Sequence, residues 1–139
     1  DPVSYYRHLS AEPFPGNPAK HAIAAPARGD YQVAPVTMEI VARSDVGFAL
    51  MENYDDERAV DLVEPTAYPH EGSAIVNWHF GNPWPPAGNR PPPEDPNGDP
   101  HGKPRRLDSH NTQMVHFFET GEVIDVCEGG LCPPPSERP

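Results

Sequence analysis

The chain has 139 residues, of which 21 are proline and 11 are glycine. That density of breakers argues against long helices and leaves room for one domain with a modest core. Ten basic residues stand against 21 acidic ones, a formal net charge of −11, which argues against nucleic acid or anionic membrane as a partner and favours cations or basic protein surfaces.

Proline is unevenly placed. Residues 1–30 hold five, 31–80 three, 81–110 nine, 111–132 none and 133–139 four. This outlines an extended N-terminal arm at 1–30 and a single β domain at 31–132, interrupted by a proline-rich loop at 81–110. A C-terminal tail follows at 133–139. Within the arm, Tyr5 to Ala11 has the composition for one turn of helix at most.

The first strand is expected where Val36, Met38, Ile40 and Ala42 alternate with Thr37, Glu39, Val41 and Arg43. Ser44-Asp45 reads as a turn, and Val46 to Tyr54 as a second apolar strand. Asp55, Asp56 and Glu57 mark an exposed turn, and Arg58 to Val63 a short strand ending before Pro65. Eight acids and one base lie between Asp45 and Glu71. This is a solvated face or a surface for a basic partner. Ser73 to Phe80 gives the clearest core strand, with Ala74, Val76, Trp78 and Phe80 on one side.

The segment 81–110 exceeds the usual length of an unstructured loop in a compact domain, about 12–15 residues. Trp84, followed by Pro85 and Pro86, offers a large aromatic on a stiff backbone, a candidate partner-binding element. Asp95, Asn97 and Asp99 place oxygen ligands at alternate positions, as calcium loops do. Pro100 and Arg106 depart from the EF-hand pattern, and a plain turn accounts for the same residues.

A hairpin is expected next. Asn111 to Phe118 alternates, Glu119-Thr120-Gly121-Glu122 turns, and Val123 to Cys127 returns. Cys127 and Cys132 are the two cysteines, and Cys-Glu-Gly-Gly-Leu-Cys suits a small disulfide ring. The spacing fits neither a thioredoxin-like pair nor a usual zinc pair. A disulfide, and a first residue other than Met, suit a processed, extracytoplasmic protein, whether secreted, periplasmic or at the cell surface. No apolar run approaches the roughly 18 residues of a membrane span.

Histidine supplies the remaining candidates. His79 and His116 each fall in an expected strand, so pairing of those strands would bring them together, with His110 or His70 as a third ligand for zinc or copper. No nucleophile elbow, phosphate loop or zinc-protease motif accompanies them.

The expected fold is mainly β, a small antiparallel sandwich or barrel of five to six strands. The expected function is an extracytoplasmic structural or interaction subunit, whose proline-rich arms pack on other protein subunits of a larger assembly. The alternatives are a small metal-dependent enzyme with zinc or copper on His79, His116, His110 and His70, and a calcium-stabilised binding module with Trp84 and Tyr68 stacking on a ligand.

Overall fold

A computed structural model describes residues 2–53, 63–84 and 98–138. Among them helix takes 29% and strand 15%, in two small sheets and no closed barrel. The expected antiparallel sandwich or barrel is therefore replaced by a mixed α and β fold.

The strands β1 (Ile23–Ala24), β2 (Phe48–Leu50) and β4 (Ser73–Ile75) form a parallel sheet in the order β1-β4-β2. The strands β3 (His70–Glu71) and β5 (Glu122–Val123) form a separate antiparallel pair. Two helices, α1 (Val36–Arg43) and α2 (Asp108–Thr120), complete the regular core.

β4 is the central strand, and Ser73, Ala74 and Ile75 are all buried. Successive side chains point to opposite faces of a strand. Ala74, with Val76, Trp78 and Phe80 beyond the strand, joins one apolar cluster, alongside Phe117 of α2, Val123 and both cysteines. Ile75 joins the other, with Phe48, Leu50, Val41 and Ala42. Both faces are thus covered, the condition under which parallel sheets persist. The alternation expected at 73–80 is present, but it serves a parallel sheet.

Both helices lie where strands were expected. In α1 the pattern Met38, Val41, Ala42 has helical spacing, and these residues turn inward while Val36 and Ile40 stay exposed. Pro35 precedes the helix with φ −56°, the value a first turn requires. In α2 the inward side is Gln113 and Phe117, four apart. Gly121 ends the helix at φ +79°, its N–H donating to the Phe117 carbonyl. A run this short fits either period, and the proline-free stretch that suggested a hairpin also permits a helix.

The N-terminal segment contributes a 3-10 helix, Pro2–His8. Val3, Tyr6 and Leu9 pack on the α1 cluster, and Tyr6 meets Phe48 edge-on at 5.6 Å. Cys127 and Cys132 form a disulfide, both nearly inaccessible to solvent. A ring of this size contributes roughly 2 kcal/mol by the chain-entropy relation. The His79 N–H donates to the Cys132 carbonyl at 2.6 Å, which fastens the ring to the continuation of β4.

The C-terminal residues fold back. Glu137 accepts from the Ser109 N–H at 3.1 Å and from the Ser109 hydroxyl at 2.5 Å, placing a carboxylate over the first turn of α2. Arg138 donates to the carbonyls of Leu131 and Pro133. No side chain at the N-cap, Leu107, serves those helix N–H groups, so Glu137 does it from 28 residues away. Replacing Glu137 by alanine is expected to lower unfolding free energy by about 1 kcal/mol in urea titration. An unchanged midpoint would contradict the capping role.

Candidate functional site

In open parallel sheets, sites form beyond the carboxyl ends of the strands. Here β1 and β4 continue side by side past their ends. The Trp78 N–H donates to the Pro26 carbonyl at 2.9 Å, and the Arg28 N–H to the Trp78 carbonyl at 2.8 Å. The two segments then part, Arg28 to Val33 on one side and His79 to Trp84 on the other. The polar side chains that follow are interlocked.

Asp30 is the centre of this group, with 5% of its surface exposed. One oxygen accepts the Gln32 and Val33 N–H groups, at 2.8 and 2.9 Å. The other accepts Nδ1–H of His101 at 2.8 Å. A buried carboxylate needs such donors, and Asp30 has three. In return it fixes the ring of His101 with its proton on Nδ1. Gln32 also donates to Asp99, whose other oxygen accepts the His101 N–H at 2.9 Å. That backbone bond, more than the side chain of Gln32 or the charges of His101 and Lys103, holds Asp99 below the usual carboxylate range.

The near end of the proline-rich segment is fastened to the same turn. The Asn82 side chain donates to the Gly98 carbonyl at 2.9 Å, joining residues 16 apart. Gly29 permits this approach. Its φ is +83°, and a Cβ there would lie 2.5 Å from Cβ of Asn82 and 2.8 Å from the Pro83 carbonyl oxygen. Arg28 reaches over the Trp84 ring at 5.2 Å and donates to Nε2 of His79 at 2.6 Å. Lys103 lies over Phe80 at 5.4 Å. Residues 82–84 and 98–101, on either side of 85–97, therefore both rest on residues 28–33. Residues 85–97, among them Pro85, Pro86, Asp95 and Asn97, lie outside the described residues.

The four candidate metal-binding histidines lie in different places. Arginine has only donors, so Nε2 of His79 is the acceptor and its lone pair is engaged by Arg28. His116 lies on α2, not on a strand beside His79, and Nε2 pairs with Glu122 at 2.9 Å. His110 packs edge-on against Trp78 at 5.3 Å. His70 opens on a groove of about 600 Å³ at the amino ends of the sheet, with Ser10, His21, Arg43 and Ser73. Among the described residues, no three of His, Cys, Asp and Glu gather as a metal ion needs.

Hydrogen bonds also restrain the hydroxyls in that groove. Ser73 accepts the Ala22 N–H at 3.0 Å, Ser10 donates to the Lys20 carbonyl at 2.6 Å, and the two hydroxyls meet at 2.6 Å. Ser73 is then the donor between them, and both protons are in use. Tyr68, expected to stack on a ligand, packs against the core, and burial pushes its phenol well above its ordinary pKa, with Asp125 and Glu52 adding to the shift.

Residue order alone left Asp30, Arg28, Asn82 and His101 unremarked as a group. One signal existed, Arg28-Gly29-Asp30, a turn with a glycine between charges. Comparison with known proteins gives no match to a family model, a curated protein or a solved structure.

Two outcomes follow. Gly29→Ala is expected to cost about 2 kcal/mol or more and to speed amide exchange at Gln32 and His101. Gly16→Ala is the control, since its φ is +82° but nothing lies within 4 Å of the added carbon. Equal losses at the two positions would contradict the close approach. The second outcome concerns His110, whose imidazole is held below its ordinary pKa of 6.5 by burial. As pH falls below 6.5 the unfolded chain takes up a proton that the folded chain refuses, so stability decreases until the folded group also titrates. His110→Phe should flatten that part of a stability–pH curve, and an unchanged slope would contradict it.

Proposed function

We propose that the chain is an interaction subunit of a larger protein assembly, outside the cytoplasm, that presents its proline-rich segment to a partner chain. The observation that carries this reading is the fastening of Asn82 to Gly98 over Gly29, reinforced by Asp30 and His101. A long segment whose two ends are held together loses less entropy when a partner orders it. Proline lowers that loss further, because its φ is set before binding. Trp84, stacked with Arg28 at the foot of the segment, is the anchor residue this reading assigns to the partner interface.

The buried disulfide supports an oxidising compartment. The metal-dependent alternative has less support, because His79 is committed to Arg28 and His116 to Glu122. The calcium alternative rests on Asp95 and Asn97, outside the described residues, and on Asp99, which already accepts two hydrogen bonds.

Photocrosslinking from a benzophenone side chain at position 84, in the native source, tests the reading. A discrete adduct with another polypeptide is expected, and Asn82→Ala should weaken it. No adduct at position 84, together with sedimentation of the purified chain as a monomer at every concentration, would contradict it.

A further inference from the structure

We propose that the outer face of α2 is a second docking surface, built for a basic amphipathic segment of a partner protein. It shares with the preceding reading the idea of an interaction subunit, but uses none of the residues that hold the proline-rich segment.

α2 buries one side only. Gln113 and Phe117 are buried, with His110 and Met114 half-buried beside them. At about 100° per residue, the opposite side is centred on Val115, between Asp108 and Glu119. Val115 is 56% exposed and Phe118, at its edge, 75%. Val115 and Ile124, with Asp108 and Glu119, border an open groove of about 540 Å³. An apolar strip on the solvent side of a helix, rimmed by polar residues, is the form that interaction surfaces take.

Charge selects the occupant. From Leu107 to Glu137 the chain has no lysine or arginine, yet carries six acids. Just past the carboxyl end of α2, Glu122 is directly opposite Glu71 in the β3–β5 pair. Like charges in that position are destabilising, and His116 bonds only Glu122. A second copy of this chain brings the same acidic face and a net charge of −11, so it is repelled. A purely apolar partner would take Asp108 and Glu119 out of water without a counter-charge. A segment with an apolar centre and a cation on either side satisfies both. Asp108 and Glu119 are eleven residues apart, or about 16 Å along the axis. The matching cations stand about eleven residues apart on a helix or five apart on an extended strand.

Titration calorimetry on the whole chain with two synthetic helical peptides tests this. One carries lysines about eleven residues apart flanking a leucine face, and the other has glutamates in their place. The lysine peptide should bind at least about tenfold more tightly, and raising salt from ~50 to ~500 mM should weaken it by a similar factor. Val115→Asp and Glu119→Lys, both at exposed positions, should each weaken it roughly tenfold with an unchanged helical circular dichroism signal. Trp84→Ala should bind as the parent does. Equal affinity for the two peptides, or full affinity in both α2 variants, would overturn the proposal. Loss confined to Trp84→Ala would also overturn it, while leaving the reading of the proline-rich segment intact.

Discussion

The molecule is organised around a strand that has no solvent-facing side. β4 is buried on both faces and its continuation to Phe80 on the side of Val76, Trp78 and Phe80, so the backbone groups along them need protein partners. β1 and β2 supply partners along Ser73 to Ile75. Pro26 and Arg28 supply them at Trp78, and Cys132 at His79. Each of these partners belongs to a distant part of the chain. The N-terminal segment, the central strands and the C-terminal ring are thereby held to one line of residues. α2 is tied to the same line through His110 against Trp78 and Phe117 in the core beneath it.

This arrangement explains where the polar residues collect. A strand covered on both faces leaves only its ends for polar chemistry. At the amino end lies the groove with His21, Arg43 and His70, where the hydroxyls of Ser10 and Ser73 are already hydrogen-bonded. At the carboxyl end β1 and β4 part, and Asp30 fills the junction. A buried carboxylate without donors is costly, and here three N–H groups meet it. One of the hydrogen bonds that satisfy Asp30, that from His101, also holds residues 98–101 against the turn. The stability of the junction and the attachment of residues 98–101 to it therefore share that bond.

How much of this was legible in the sequence differs from residue to residue. The alternation of Ala74, Val76, Trp78 and Phe80 identified the buried strand, because a period of two needs no tertiary information. The Cys127–Cys132 ring followed from its spacing and glycines. The helices were misread for a definite reason. In α1, Val36 and Ile40 look inward-facing in a strand pattern, but the core reads Met38, Val41 and Ala42 instead. In α2, Asp108 near the start and Gly121 just past the end were helix signals that the alternation of Asn111 to Phe118 overshadowed. The fold class followed from those two segments. The site was less legible, since Asp30 and His101 are 71 residues apart and the histidines that sequence spacing grouped are dispersed by the helices.

A buried carboxylate, Asp30, orients His101 and so fastens residues 98–101, just past the proline-rich stretch 85–97, to the turn that follows β1. The tautomer of His101 reads this directly. Free neutral imidazole prefers its proton on Nε2, whereas donation to Asp30 requires it on Nδ1. Long-range proton–nitrogen correlation spectra of the histidine side chains, recorded at mildly alkaline pH, distinguish the two. His101 is expected in the Nδ1–H form. An Nε2–H signal for that residue would contradict it.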